Sequence, residues 1–219
     1  MNLNLFTQIV LVIGRLEPQG VAMLGTGFLI SKNGLIATTH HVIGSSTANL
    51  VVLAPHIQNI NAYQELANTQ CQPVPCTVKE IDPFRDIAIL ESGLNFSGTL
   101  PKLGGFDDTN VGNDVAIFGF PHCVEGRRAL TYQKAEVGAK VILEINGIKS
   151  KQAVINTQAR PGQSGSIVVS PSNGTISGVL VGAWIPAGAA GGISLGGINP
   201  RELHQTTHCV SAEYISGML

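Results

Sequence analysis

The chain has 219 residues, 44% of them hydrophobic and only 12% charged, so it can form one large domain or two small barrels with a substantial core. Its formal net charge is −1, and Arg127-Arg128 is the sole adjacent basic pair, which excludes the clustered Lys/Arg face of a nucleic-acid footprint. Glycine is abundant, aromatics are few, and no apolar run is long enough to cross a bilayer as a helix, so the composition points to a β protein with many tight turns.

The chain opens on Met1-Asn2-Leu3-Asn4, with no Lys or Arg before the apolar run from Leu5 to Ile13. A secretory leader needs a basic start and a small-residue cleavage site, so a cytoplasmic protein without a leader is expected. Residues 5–15, 21–30 and 34–39 read as strands. Leu24-Gly25-Thr26-Gly27-Phe28-Leu29-Ile30 carries glycines within a strand pattern, the sign of a bulge or a close backbone approach. Ser31-Lys32-Asn33-Gly34 gives a hairpin turn. A strand follows at 48–54, and then 56–74 breaks the rhythm as a long surface loop.

Strands resume at 76–81 and 86–91. The Gly/Ser/Pro/Asp-rich stretch from Ser92 to Gly112 reads as a connection between two halves, 1–100 and 101–219. Val115-Ala116-Ile117-Phe118-Gly119-Phe120 opens the second half. Further strands are expected near 129–138, 140–146, 151–156, 166–170, 175–184 and 191–198, with a helical turn or short helix from Arg201 to His208. Many short strands with turn signals between them predict an all-β barrel or sandwich.

The four cysteines are Cys71, Cys76, Cys123 and Cys209. Their spacings, with His208 as a further candidate, match no usual zinc pattern, so no metal is expected. Reduced thiols are the expectation in the cytoplasm, and a Cys71–Cys76 disulfide only in an oxidising compartment.

Chemistry gathers at Arg160-Pro161-Gly162-Gln163-Ser164-Gly165-Ser166. Glycines around a serine permit a tight turn that brings backbone N–H donors to a developing oxyanion. A serine hydroxyl is a weak nucleophile and needs a base, and a histidine base needs a carboxylate to orient it. His40 and His41 end a strand, where neighbouring side chains face opposite ways, so at most one can serve. Asp86 heads the apolar run Ile87-Ala88-Ile89-Leu90 and is placed to accept from a histidine.

Together these segments resemble a known family. Thr38-Thr39-His40-His41-Val42, Asp86-Ile87-Ala88-Ile89-Leu90 and Pro161-Gly162-Gln163-Ser164-Gly165 are similar, in order, to the His, Asp and Ser motifs of trypsin-like (chymotrypsin-fold) serine proteases. The serine loop looks like that of the bacterial branch with HtrA/DegP. Gly25-Thr26-Gly27-Phe28 and Val115-Ala116-Ile117-Phe118-Gly119-Phe120-Pro121 resemble that family's flanking strands.

The resemblance implies two six-stranded β-barrels with the active site between them. It implies a serine endopeptidase with no cofactor, acting through an acyl-enzyme, with His41 as base, Asp86 as its orienter and Ser164 as nucleophile. The N–H groups of Gly162 and Ser164 would form the oxyanion hole. Gln158 would lie at the base of the primary pocket, and Val181, Gly182 and Ala183 would pair with an extended protein or peptide substrate. The residue before the nucleophile is Asp in zymogen-type relatives, where a freed N-terminus pairs with it; here it is Gln163, so other contacts must order the oxyanion loop.

No PDZ domain is expected after this core, and a regulatory protein partner is the expected restraint on activity. The alternative is a protease-fold binding module with little turnover. An α/β-hydrolase is set aside, because no Asp follows Ser164 and Glu202 lies too close to His204 and His208 to complete a triad.

Overall fold

The computed structural model describes residues 2–183 and 206–219. Twelve strands form two closed barrels. The first contains β1 (Val10–Glu17), β2 (Gly20–Leu29), β3 (Leu35–Thr38), β4 (Leu50–Leu53), β5 (Pro73–Asp82) and β6 (Ile87–Ser92), closed in the order β1-β2-β3-β6-β5-β4. The second contains β7 (Asp114–Gly119), β8 (Thr131–Ile145), β9 (Ile148–Ile155), β10 (Ile167–Val169), β11 (Ile176–Ala183) and β12 (Thr207–Ser211), closed as β10-β11-β12-β9-β8-β7. Closure leaves no long exposed edge, which is how an antiparallel all-β chain avoids pairing with its neighbours.

The apolar runs become strand interiors. All four residues of β4 and the first four of β6 are buried, as are Val115 to Gly119 on β7. One continuous core joins Ile13, Phe28, Ile36, Ile89 and Leu90 of the first barrel to Phe118, Ile167, Val169 and Val210 of the second. The barrels therefore share apolar packing rather than meeting only through loops. Between them, the chain already bonds to the second barrel before β7 begins. Gly104 N–H donates to Ile176 O, and Ile176 N–H donates to Lys102 O.

The chain start differs from the strand expected over 5–15. Leu3–Leu5 is a 3-10 turn and Phe6–Ile9 a short helix, α1, ahead of β1. Phe6, Thr7 and Ile9 are all buried, held by the short helix against the two barrels. Gln8 points aside and donates to Ile57 O. Phe6 stacks on Phe118 of β7 with ring centroids 3.8 Å apart, so α1 plugs the seam between the barrels.

Three further expectations change. The two strands read at 129–138 and 140–146 are the single strand β8, with a register shift between Val137 and Ala139. Gly138 sits there because a Cβ would fall 2.2 Å from Asn156 Oδ1. The β8–β9 turn is Asn146-Gly147, both residues at positive φ, as a two-residue hairpin turn requires. Near the C-terminus, Thr207 and His208 belong to β12 rather than to a helix, and the helix α3 follows at Glu213–Ser216. The strand expected at 191–198 and the helical turn from Arg201, with Glu202 and His204, lie outside the described residues.

The segment expected as a loop over 56–74 is one as far as residue 72, where β5 takes over at Pro73, and the loop is pinned. The Gln64 side chain pairs with the Leu130 backbone, accepting its N–H and donating to its C=O at 2.8 Å each, and Arg128 donates to Gln70 O at 2.6 Å.

All four cysteines are unpaired; Cys71 is exposed and the other three are buried. Burial pushes the Cys76 thiol up to about 11 and the Cys123 thiol up to about 12, and pushes the Cys209 thiol up as well. The thiolate is the reactive form, so iodoacetamide at neutral pH should modify Cys71 in the folded protein and the other three only after denaturation. Mass spectrometry of the alkylated protein checks this.

Candidate active site

His40 and His41 are not strand neighbours. Thr39 is the last extended residue, and His40–Ile43 forms one helical turn, α2, which ends at Gly44 with φ +65°. Buried Val42 and Ile43 anchor the turn in the core and fix where the two histidines point. His41 is the one whose ring meets Asp86: its Nδ1 lies 2.6 Å from Asp86 Oδ2. The same carboxylate accepts the His41 backbone N–H on Oδ1 at 2.8 Å, and the Asp86 backbone carbonyl accepts His40 N–H at 3.2 Å. Backbone and side chain thus lock the two segments together. A carboxylate at Nδ1 keeps the proton there and leaves Nε2 with a free lone pair, the form a general base needs. The His41 side chain remains 49% exposed, so Nε2 is reachable from solvent.

Asp86 occupies the left-handed region at φ +57°, which Asp tolerates better than most residues. The turn that carries it is braced from both sides. Asp82 Oδ1 accepts the N–H groups of Phe84 and Arg85, and Arg85 pairs with Asp82 Oδ2 at 2.6 Å. The Arg85 guanidinium also lies 4.3 Å over the Tyr214 ring and donates to Lys149 O. A first-barrel turn is thereby clasped by α3 and β9 of the second.

The serine loop is fixed through β2. Thr26 N–H donates to Ser164 O, and Thr26 Oγ1 donates to Gly162 O while accepting Phe120 N–H. Thr38 Oγ1 in turn donates to Thr26 O. Thr26 is fully buried and joins β3, Phe120 just after β7, and the serine loop. Its part was not foreseen; the one sign was a threonine between two glycines in a strand that comes close to another backbone.

Gly162 and Ser164, expected as oxyanion donors, have N–H groups without an acceptor among the described residues. The Pro161 carbonyl accepts His122 N–H. In a trans peptide C=O and N–H point oppositely, so the Gly162 N–H faces away from His122. Gly162 holds φ +87°, and a Cβ there would sit 2.7 Å from Phe120 O.

The Ser164 hydroxyl donates to Val181 O at 2.9 Å, and no hydrogen bond joins it to His41 among the described residues. Val181, Gly182 and Ala183 close β11, where Gly182 and Ala183 pair with β12 on one side. β10 reaches only Val179 on the other side, which leaves that edge unpaired by strands among the described residues. Gln158 lines a cavity of about 370 Å³ with Gln133, Thr157, Arg160 and Gln163. Among the described residues, that cavity's lining includes no carboxylate.

Residues 25–179 match the model of the trypsin-like peptidase domain. The magnetosome formation protease MamE of Magnetospirillum gryphiswaldense is 25% identical over 177 residues, 80% of this chain and 21% of that protein. A probable periplasmic serine endoprotease, DegP-like, of Pseudomonas fulva is 33% identical over 105 residues, 46% of this chain and 19% of that protein. The chain thus spans about a fifth of the length of these curated relatives. Among solved structures, the active form of the Rv3671c protease from M. tuberculosis superposes with a TM-score of 0.68 at 24% identity, covering 98% of this chain and 81% of that one.

Proposed function

The chain belongs to the trypsin-like peptidase domain family, and from that premise we propose that it is a serine endopeptidase working through His41, Asp86 and Ser164. The observation that carries this reading is the 2.6 Å contact of His41 Nδ1 with Asp86 beside a serine loop whose Gly162 and Ser164 N–H groups are unengaged among the described residues.

In the proposed reaction, a peptide adds as a strand along Val181–Ala183 and takes over part of the free edge. The Ser164 hydroxyl turns from Val181 O to His41 Nε2 by rotation about χ1. As Oγ attacks the scissile carbonyl carbon, its proton passes to Nε2, and Asp86 stabilises the resulting imidazolium. The carbonyl oxygen becomes an anion held by the two free N–H groups. Such fixed donors contribute about 3–4 kcal/mol apiece to transition-state stabilisation. Collapse expels the amine, which takes the proton from Nε2 and leaves an acyl-Ser164. Water then attacks by the same route and frees the acid.

The Ser164 hydroxyl bond to Val181 O also favours a second reading, a protease-fold binding module in which this serine is idle. Turnover decides between them. The purified chain should digest unfolded casein, and Ser164→Ala should not. Digestion that survives Ser164→Ala would end the first reading, and no digestion or serine labelling by the intact chain would favour the second.

The primary pocket should not favour Arg or Lys. Gln158 is uncharged and Arg160 stands nearby. A cationic side chain would lose its hydration without gaining a carboxylate. Peptide-library cleavage should show uncharged residues before the scissile bond; a dominant Arg/Lys preference would contradict this assignment of Gln158.

A further inference from the structure

Gln163 lies between the two residues whose N–H groups await an oxyanion, and its side chain is almost wholly buried at 2% exposure. A buried amide must find partners or cost stability. Gln163 Oε1 accepts the Arg160 backbone N–H at 2.7 Å, while its own backbone N–H donates to Arg160 O at 3.0 Å. A backbone N–H can only donate, so it fixes which end of the amide is oxygen. Nε2 must then face the other way, where Gln133 Oε1 lies at 3.3 Å. The same reasoning orients Gln133, whose Nε2 donates to Thr157 Oγ1.

This relay connects the loop to frame residues. Gln133 is on β8, opposite Ile117 of β7. Thr157 follows β9; its N–H donates to Ile155 O, and its carbonyl accepts Thr207 Oγ1 from β12. Gln133 is therefore the link between the Gln163 amide and three strands of the second barrel. Every member of the relay is uncharged.

We propose that Gln133 is a positioning residue for peptide hydrolysis, holding the Gly162 and Ser164 N–H groups in register through Gln163. The inference rests on the reading of Ser164 as nucleophile. Without the Gln133 acceptor, Gln163 Nε2 is left buried and unpaired. The side chain relieves this by turning, which breaks its bond to Arg160 N–H and loosens the tight loop on both sides of it. The loss falls on the oxyanion donors and therefore on the transition state. Gln133 also lines the cavity that holds Gln158, so ground-state binding is read with a small reagent that leaves that cavity empty; the β11 edge, where a peptide backbone would pair, is untouched by a change on β8.

The test is saturation kinetics of Ser164 labelling by an alkyl fluorophosphonate, whose tetrahedral phosphorus needs the same donors. The proteins are the intact chain, Gln133→Met and Gln133→Glu. Met is of similar length but cannot accept a hydrogen bond. Glu keeps an acceptor for Gln163 and can also accept from the Thr157 hydroxyl. In Gln133→Met the limiting labelling rate should fall about 10–100-fold, less than or equal to the loss of a whole oxyanion donor. The small reagent's apparent binding constant should stay near wild type, and the melting temperature should fall by only several degrees, the cost of about 1–3 kcal/mol for an unpaired buried amide. Gln133→Glu should return the rate to within a few-fold of wild type.

Should Gln133→Met not fold, Gln133→Thr carries the same expectation, being a good strand former too short to reach Gln163. Wild-type labelling rates in the Met or Thr variant would overturn the proposal. So would equal losses in Met and Glu that track a fall in melting temperature. An unlabelled wild-type chain would instead remove the nucleophile assignment, and with it the basis for a positioning role.

Discussion

Ser164→Ala and His41→Ala should each abolish turnover while the barrels stay folded. Among the described residues the Ser164 side chain bonds to Val181 O alone, whereas its carbonyl is held by Thr26 N–H regardless of the side chain. Removing the hydroxyl therefore costs about 1 kcal/mol of stability. The catalytic loss is of another order, because nucleophile and base act as a unit; about a million-fold in kcat is the scale when such a unit loses either member. His41→Ala removes the ring from a half-exposed site but keeps the backbone N–H bond to Asp86 Oδ1, so α2 should hold.

Asp86→Asn separates the two roles of the carboxylate. An amide oxygen can still accept the His41 backbone N–H. Its NH2 then faces Nδ1, which forces the proton onto Nε2, and about ten-thousand-fold of kcat should go with the wrong tautomer. Circular dichroism and melting curves should overlay for the three variants within a few degrees, with peptidase activity lost in all of them. Full activity in His41→Ala would move the base elsewhere.

Gly165→Ala should be the most damaging glycine-to-alanine change among the described residues. Gly165 has φ +85°, and a Cβ there would lie 1.9 Å from Thr26 O and 2.5 Å from Thr38 Oγ1. Thr26 O cannot move aside easily, because Thr38 Oγ1 donates to it and the Thr26 N–H and hydroxyl are tied to Ser164 and Gly162. Backbone strain of about 1 kcal/mol and overpacking of about 1–3 kcal/mol combine, so a loss of about 2–4 kcal/mol is expected. Gly126→Ala is the control. It has φ +89° with nothing within 4 Å of the added carbon, so it carries the strain alone. Urea denaturation should place Gly165→Ala well below Gly126→Ala in midpoint. Equal midpoints would mean that Thr26 does not pack against the serine loop as described.

What could be read in the sequence had local signatures. Apolar runs broken by turn residues pointed to an all-β barrel or sandwich, since a buried strand needs a continuous run and a hairpin needs residues that accept unusual φ; the pair of six-stranded barrels came only with the family resemblance. The serine loop, the histidines and Asp86 stood out because each carries a residue type that the chemistry demands next to a turn or strand end. The hidden features depend on long-range partners. Phe6 to Ile9 looks like a strand until Phe118 supplies a surface that buries Phe6, Thr7 and Ile9 together. The strand β8 looks broken at Gly138, because the need for a glycine comes from Asn156, eighteen positions later. His40 and His41 read as strand neighbours, since the helical turn that holds them is only four residues long and is anchored by core contacts of Val42 and Ile43. Thr26 and Gln133 look like ordinary polar strand residues, and their bonds to the serine loop span more than a hundred positions and thirty positions respectively.

In the proposed function, Ser164 is made nucleophilic by His41 and Asp86 and is ready to attack an electrophile. The most direct measurement is the intact mass of the native chain after brief exposure to a fluorophosphonate at neutral pH, followed by mapping of the adduct. One phosphonyl group per chain should appear, on the peptide that carries Ser164, and it should vanish in the heat-unfolded protein and in His41→Ala. A native chain that stays unmodified, or an adduct on another residue, would contradict the account.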